Sequence, residues 1–255
     1  MTALEHDPRP PVMASETELR EDLAAAFRWA AHLDMNEGVA NHFSVAVDDG
    51  GERFLINPRG MHFSRARASE LAMMDTRRLG EDPLAHGVDP TAWVLHGHLH
   101  ERVPRARCVL HTHMPYTTAL ACLRDFEFLM LDQNACRFYD RIAYDRDYAG
   151  MALDPDEGAR VAAMLDGGRD VLFLGNHGVI VIGRSVAEAF DDLYYLERAA
   201  RLQVLALSTG RELSLIDDAT ASMVCEQWLS YPEGSELHFR AVRDALDAMG
   251  ADYRR

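Results

Sequence analysis

Histidine is the residue type in this sequence whose number and spacing most suggest chemistry. The chain of 255 residues contains 12 histidines. Because histidine is the commonest metal ligand in proteins, a metal site is the first possibility to test. Five of the histidines fall within eighteen residues, namely His96, His98, His100, His111 and His113.

The pair His111 and His113 has a spacing that suits the end of a β-strand. Residues i and i+2 of an extended strand point to the same side, so both rings can face one metal ion. The apolar run Cys108–Leu110 predicts the strand that would hold them in place. The motif is short, and two surface histidines in a loop remain an alternative at this point.

His177 is a third candidate ligand. It follows a strongly apolar segment and precedes Gly178, which permits a tight turn. Three histidines would leave coordination positions open for water or substrate, as in catalytic metal sites, whereas structural zinc sites are closed and usually rich in cysteine. The four cysteines form no CxxC pair, and we predict reduced thiols.

The elements that must position these residues are predicted from hydrophobic periodicity and capping patterns. Ser15 and Glu18 form a capping-box pattern at the start of a helix that extends to His32. Alternating apolar residues predict strands over Phe43–Val47 and Arg53–Asn57. Further predicted helices cover Ser69–Asp75, Thr91–Arg102, Pro115–Leu123, Pro155–Leu165 and Val186–Leu207, and further predicted strands cover Cys108–Leu110, Phe126–Leu131, Asp170–Leu174 and Gly178–Ile182.

These elements alternate without a regular βαβ rhythm, which predicts an α/β fold with layers around a mixed or antiparallel sheet. We expect a disordered leader over residues 1–14 and one domain over residues 15–255, with residues 211–255 as a helical C-terminal extension. Four acidic residues on the longest helix suggest a solvated acidic face, or a second metal site, and are Glu188, Asp191, Asp192 and Glu197.

Composition argues against several classes of partner. The net charge of −15 disfavours binding to nucleic acid or to an anionic membrane. No apolar run approaches the roughly 18 residues that a membrane-spanning helix needs. The N-terminal residues show no signal-peptide pattern, so we expect a cytoplasmic protein with a small-molecule substrate.

Four segments of the chain together resemble the class II aldolase/adducin domain family. In this sequence they read GVANHFS at Gly38–Ser44, LINPRG at Leu55–Gly60, HTHMPY at His111–Tyr116 and NHG at Asn176–Gly178. Their order and spacing match the family over roughly residues 16–210. The combination is specific, although each segment alone is not.

The resemblance implies a metal site, a fold and an assembly. It maps the ligands of one divalent metal ion per subunit onto His111, His113 and His177, with zinc expected and iron or manganese as alternatives. It implies a three-layer α/β/α fold with a largely antiparallel central sheet. It also implies a ring-shaped homotetramer whose active sites lie between neighbouring subunits.

The chain departs from the family's aldolases at the position of the acid–base residue. The resemblance aligns this acidic residue with Ala92, which cannot transfer a proton. Asp89 lies three residues upstream and is not a simple substitute. Two serines of the sugar-phosphate enzymes become Pro90 and Thr91, and Arg59 precedes Gly60 where the family's phosphate pocket has small residues.

Arginine can bind a carboxylate with two parallel hydrogen bonds, so a carboxylate substrate is expected instead of a sugar phosphate. The alternative is that Arg59 points to solvent and pairs with Glu70 or Asp75. Candidate substrate-binding residues are Asn41, Arg59, Gly60, Thr91 and Gln133.

Three residues are candidates to replace the missing acid, in the order His42, His96, Tyr116. His96 and His100 are four residues apart and share one face of a helix. An alternative role for these two is structural, with one buried and hydrogen-bonded and the other solvated.

These features favour a metal-dependent lyase that acts by aldol cleavage or decarboxylation on a small hydroxy- or oxo-carbonyl substrate. Two alternatives stay open. The segment from Leu129 onwards also resembles a branch of the family that includes a non-haem iron oxygenase of aminocoumarin ring biosynthesis. The adducin branch keeps the fold as a non-catalytic binding module, but retention of all three histidines argues against that function here.

Overall fold

A seven-stranded sheet forms the middle layer of the protein. The computed structural model describes residues 14–148, 150–165 and 167–255. The strands are β1 (His42–Ala46), β2 (Arg53–Ile56), β3 (Ala72–Asp75), β4 (Cys108–Thr112), β5 (Ile142–Asp145), β6 (Val171–Leu174) and β7 (Gly178–Gly183). Their order across the sheet is β3-β2-β1-β4-β7-β6-β5, and every neighbouring pair is antiparallel except β5 and β6.

Helices cover both faces of this sheet. They are α1 (Glu16–His32), α2 (Pro90–Arg102), α3 (Pro115–Ala121), α4 (Pro155–Met164), α5 (Val186–Ser208), α6 (Asp218–Leu229) and α7 (Glu233–Ala248). On one face, α2 and α4 pack on the sheet through residues such as Leu99 and Val161. On the other face, α1, α5 and α7 contribute Phe27, Phe190 and Val242 to a larger core. The predicted α/β/α fold with a largely antiparallel sheet is confirmed.

Strand β4 illustrates how sequence alternation builds this arrangement. Leu110 points into the core shared with α1 and α5, whereas Val109 points into the core shared with α2 and α4. Because side chains alternate between the faces of a strand, His111 lies on the same face as Val109. His111 is therefore directed towards the α2 side of the sheet.

Two predicted elements are wrong. Ser69–Asp75 was expected to be a helix, but Ala72–Asp75 is strand β3, paired with β2. The helix-favouring methionines of this segment are overruled by that pairing. The expected strand Phe126–Leu131 makes no sheet ladder, because its backbone N–H groups at Phe128 and Leu129 donate to the side chains of Tyr144 and Gln203. The edge strand at this side of the sheet is β5, which was not predicted.

Residues 1–13 of the expected leader lie outside the described residues. Within the part of the chain that the structure describes, no helix is long and apolar enough to cross a membrane. Helices α6 and α7 occupy much of residues 211–255, and the segment after them docks on the body of the protein. There Tyr253 is fully buried, and its carbonyl accepts a hydrogen bond from the N–H of Ala68.

The sheet brings the candidate residues to one edge. Strand β4 is central, and its two neighbours β1 and β7 both run antiparallel to it. The carboxyl end of β4 therefore lies beside the starts of β1 and β7. His42 pairs with His111, and Thr112 pairs with Val179, two residues after His177.

Candidate metal centre and its surroundings

His111, His113 and His177 form one cluster at this edge of the sheet. One ring nitrogen from each lies within 4.8 Å of the other two. The Nε2 atoms of His111 and His113 are 3.2 Å apart. Two nitrogens at 2.0–2.1 Å from a tetrahedral zinc ion would be separated by about 3.3 Å. The donor set and its spacing therefore fit a divalent metal such as zinc.

The second ring nitrogen of two of these histidines is held by the protein. His111 Nδ1 donates to the carbonyl of Val179 at 3.0 Å. His113 Nδ1 donates to Glu37 Oε2 at 2.5 Å. Hydrogen bonds of this kind fix the tautomer and ring orientation of metal-ligating histidines. They leave Nε2 of each ring as the unprotonated, metal-binding atom.

Burial favours the neutral form of two of these histidines, His111 and His177. Desolvation is the main cause that lowers the pKa of His111 well below its ordinary value, and neighbouring His177 and His113 lower it further. Desolvation also lowers the pKa of His177 to about 4, against the opposing charge of Glu37. Metal binding needs neutral imidazole, so these environments prepare both rings for a cation.

A glycine makes room for the His113 ring. A Cβ atom at Gly178 would lie 2.6 Å from the carbonyl oxygen of Thr112 and 2.8 Å from His113 Cδ2. Both distances are too short for any side chain to fit without a shift of strand β4 or of the ring. Gly178 is thus needed for the close approach between β7 and the end of β4.

A buried chain of polar residues leads from this cluster into the layer below α2. The rings of His42 and His111 are stacked at 6.0 Å, and the ring of His96 lies 6.0 Å from His42. Ser44 Oγ makes hydrogen bonds of 2.6 Å to His96 Nδ1 and 2.7 Å to His100 Nε2. The expectation that either His96 or His100 would be solvated is wrong, because both are buried.

Three nitrogens in this series of buried polar residues lack a hydrogen-bond partner within the described ranges. They are Nδ1 of His42, Nε2 of His96 and Nδ1 of His100, each buried. Burial lowers the pKa of His42 to about 4, and the Asp89 carboxylate opposes that shift. An unsatisfied buried nitrogen costs free energy unless a ligand or an ordered water reaches it. The unpartnered nitrogens of His42 and His96 therefore indicate a polar environment beside the metal cluster.

Ala92 belongs to an apolar cluster. It is fully buried with Phe54, Val88 and Trp93 between α2 and the sheet. Asp89, by contrast, is partly exposed, and its Oδ1 caps α2 by accepting hydrogen bonds from the N–H and hydroxyl of Thr91. The methyl group of Ala92 cannot transfer a proton. The Asp89 carboxylate, three residues upstream of Ala92, opposes the lowering of the His42 pKa by burial.

Arg59 lies beside Asp89. Its side chain is 62% exposed, with Nε 4.0 Å from Asp89 Oδ2. Its predicted alternative partners are engaged elsewhere, since Glu70 pairs with Arg67 and Asp75 pairs with Arg77. The pairing expected in that alternative is therefore wrong. Gly60 follows with a φ of +79°, a conformation that favours glycine.

The structure places the other candidate residues in different surroundings. Asn41 is buried, and its Oδ1 accepts a hydrogen bond from the N–H of Glu37 at 2.6 Å, while its Nδ2 has no partner among the described residues. The ring of Tyr116 is 5.6 Å from the guanidinium of Arg201 on α5. Gln133 is exposed, just before a short 3-10 helix that packs against α5 and α6. The structure thus links Asn41 to the cluster and directs Tyr116 towards α5.

The acidic residues of α5 do not form a solvated face. Asp191 and Asp192 are buried and form ion pairs with Arg137, and Asp192 also pairs with Arg141. Glu197 accepts hydrogen bonds from the N–H groups of Tyr116 and Thr117. The expected solvated face is wrong because three of these carboxylates have partners inside the fold.

The roles of three residues near the cluster were not identified from the sequence. Glu37 orients His113, Ser44 joins two buried histidines, and Glu197 caps the helix after the His-Thr-His segment. The one available signal was the recognised GVANHFS segment, which Glu37 directly precedes and which ends with Ser44. Partners for Ser44 and Glu197 lie about 50 to 80 residues away, and no local pattern reports them.

Comparisons with known proteins identify the family of this chain. A family model described as the class II aldolase and adducin N-terminal domain matches residues 21–204. A Pseudomonas aeruginosa protein named as an aldolase class 2 protein is 35% identical, with 99% of this chain and 98% of the relative covered.

Solved structures show the same relationship. An aldolase II superfamily protein from Pseudomonas syringae has a TM-score of 0.85 and 34% identity, covering 96% of this chain and 98% of the other. L-fuculose 1-phosphate aldolase from Glaciozyma antarctica shares the fold, with a TM-score of 0.80, 22% identity and 97% of each chain covered. With a family model that spans most of its length and a metal-type histidine cluster at the expected edge of the sheet, this chain belongs to the class II aldolase and adducin family.

Proposed function

We propose that the protein is a metal-dependent lyase that cleaves a carbon–carbon bond, by aldol cleavage or decarboxylation, in a small hydroxy- or oxo-carbonyl substrate with a carboxylate group. The observation that carries this proposal is the convergence of three histidines at one edge of the sheet. Membership of an aldolase family supports the class of reaction.

His111, His113 and His177 would hold one divalent ion, with zinc proposed and iron or manganese as alternatives. When bound, the ion supplies a Lewis acid that stabilises negative charge on the substrate's carbonyl oxygen as the bond breaks. Glu37 and the carbonyl of Val179 keep two of the rings in the orientation that this binding needs.

His42 is the proposed proton carrier. Its ring lies beside His111, and its neutral imidazole can accept a proton from a substrate hydroxyl and return it to the product. His96 lies behind it with an unpartnered Nε2, and Ala92 is enclosed by apolar side chains. Decarboxylation needs no base to remove a hydroxyl proton, so loss of the family's acid is compatible with it.

Arg59 is the proposed binding group for the substrate carboxylate. Its guanidinium is exposed and does not form a short bond to Asp89, so its paired N–H groups remain available. Asn41, Gly60 and Thr91 are the further proposed binding residues. Gly60 follows Arg59 in the chain, the Thr91 hydroxyl donates to Asp89, and Asn41 Nδ2 has no partner among the described residues. Gln133 stays a prediction as a further substrate-binding residue.

Activity should depend on both the metal and the type of substrate. We expect purified protein to release an aldehyde or carbon dioxide from members of a panel of small 2-oxo and 2-hydroxy acids, and to lose this activity when the metal is removed. L-fuculose 1-phosphate and L-ribulose 5-phosphate should not be turned over. Tight binding of either sugar phosphate by calorimetry would contradict the substrate class. Iron as the native metal would favour the oxygenase alternative, and a protein without metal would favour a binding module.

Arg59→Ala is expected to weaken binding of the carboxylate substrate about ten- to a hundredfold. Loss of a hydrogen bond to a charged group costs about 1.5–3 kcal/mol. The matched control is Arg77→Ala, which removes another exposed arginine. Arg77 follows β3, the edge strand that β2 and β1 separate from β4. Equal affinity of both variants in calorimetry would show that Arg59 does not contact the carboxylate.

We also propose a homotetramer with sites shared between neighbouring subunits. Much of the apolar character of α5 belongs to this chain's own core, as Phe190 and Leu196 show. Leu202 and Leu205, near the end of α5, are exposed and available to a second subunit. Light scattering should give a mass near four times 28.6 kDa. A monomer with full activity would contradict shared sites.

A further inference from the structure

The start of helix α3, which follows the His111-Thr112-His113 segment, is held by a carboxylate from a distant helix. Glu197 on α5 accepts a hydrogen bond from the N–H of Tyr116 at 2.8 Å through Oε1 and one from the N–H of Thr117 at 2.9 Å through Oε2. Helix α3 has no side-chain cap of its own, because its N-cap position is Met114. Glu197 therefore satisfies the two backbone donors that open this helix.

The environment of Glu197 shows that this contact is specific. The carboxylate is partly buried, and desolvation raises its pKa above the ordinary value, while the two backbone N–H groups and Arg201 lower it. Arg201 lies one turn further along α5 and also contacts the ring of Tyr116. Helix α5 thus contacts the first turn of α3 through the carboxylate of Glu197 and the guanidinium of Arg201.

Only two residues separate the start of α3 from strand β4. The strand ends at Thr112 and α3 begins at Pro115, so His113 and Met114 form the whole connection. Met114 is fully buried, and the His113 ring lies against Gly178. A displacement of the start of α3 has no flexible segment in which to be absorbed, and must move His113.

We propose that Glu197 is a positioning residue for His113, fixing the backbone on the carboxyl side of this ligand as Glu37 fixes its ring. This inference rests on the proposed metal site. A carboxylate is required because both of its oxygens accept a hydrogen bond. An amide would accept one and direct its own N–H groups at the second donor.

The test compares Glu197→Gln with Ser185→Ala. Glu197 lies on α5, and Ser185 is the N-cap of that helix, where its hydroxyl accepts a hydrogen bond from the N–H of Glu188. Zinc affinity is measured by competition with a chromophoric chelator, and the unfolding temperature is measured for metal-free protein. Cobalt absorption spectra report the coordination geometry independently of affinity.

We expect Glu197→Gln to weaken zinc binding about tenfold or more and to alter the cobalt spectrum, as changes to residues that orient metal ligands do. Ser185→Ala should lower the unfolding temperature and leave zinc affinity unchanged. If Glu197→Gln lowers only the unfolding temperature, the residue is merely a helix cap and the inference is wrong. If the parent protein itself does not bind zinc, cobalt, iron or manganese, the proposed function fails, and the inference fails with it.

A second variant keeps the test decisive if Glu197→Gln does not fold. Glu197→Asp retains the charge but withdraws the carboxylate from the two N–H groups by one methylene. It should weaken zinc binding in the same direction by a smaller factor. Unchanged affinity in a folded Glu197→Asp protein would overturn the positioning role.

Discussion

Protein carrying His113→Ala is expected to be purified with little or no bound metal. The substitution leaves His111 and His177 as the only two ligands from the cluster. Removal of a ligand should cost more than the ten- to hundredfold affinity loss found for residues that only orient ligands, so we expect more than about a hundredfold. Elemental analysis of protein purified without added metal measures the content directly.

The matched control for this change is His86→Ala. His86 is a surface histidine that pairs with Glu81 at 2.8 Å and lies in the short 3-10 helix before α2. It tests whether loss of any histidine reduces metal content. Full metal content in the His113→Ala protein would rule out the assignment of this residue as a ligand.

Gly178→Ala is expected to lower both stability and metal affinity. The added methyl group would meet the carbonyl oxygen of Thr112 and the ring of His113 at distances below 3 Å. Insertion of a methyl group into such a packed position costs about 1–3 kcal/mol. Because one of the two obstructing groups is a metal ligand, the relaxation should also displace His113 from the cluster.

Gly183→Ala separates these two effects. Gly183 lies at the other end of the same strand, and a Cβ atom there would be 2.7 Å from the backbone nitrogen of Ala189. This variant should lose a similar amount of stability in urea unfolding and keep its metal affinity. If both variants bind zinc equally well, the contact between Gly178 and His113 does not determine the geometry of the cluster.

The sequence predicted best those features that depend on neighbours in the chain. The capping box at Ser15 and Glu18 correctly marks the start of α1, because both partners lie within one helical turn. The spacing of His111 and His113 likewise places both rings on one side of a strand end. Only the family resemblance predicted that the segments His111–His113 and Asn176–Gly178 lie at the same edge of the sheet.

Features that depend on distant partners were missed. The buried state of Asp191 follows from Arg137, which is 54 residues away in sequence. Acidic residues on a long helix are usually solvated, so composition alone favours the wrong interpretation. Strand β3 was assigned as a helix for a related reason, because its pairing with β2 outweighs its local propensity.

The position of Ala92 shows a different limit. The resemblance aligns the family's acid with Ala92, but it does not reveal that this residue packs with Phe54 and Trp93. Nor does it reveal that Asp89 acts on His42 from the N-cap of α2. The charge that acts on His42 depends on where the N-cap of α2 lies in three dimensions. Sequence alignment does not contain that information.

The hydroxyl group of Ser44 couples two imidazoles through a single hydrogen atom. Burial lowers the pKa of His96 well below its ordinary value and that of His100 to about 3, so both rings are neutral near pH 7 and each carries one N–H. Ser44 Oγ faces Nδ1 of one ring and Nε2 of the other. When it donates to one nitrogen, it must accept from an N–H on the other if all three groups are to be paired. The tautomers of the two rings are therefore correlated. A change of tautomer at His96 therefore requires a change of tautomer at His100, on the other side of Ser44.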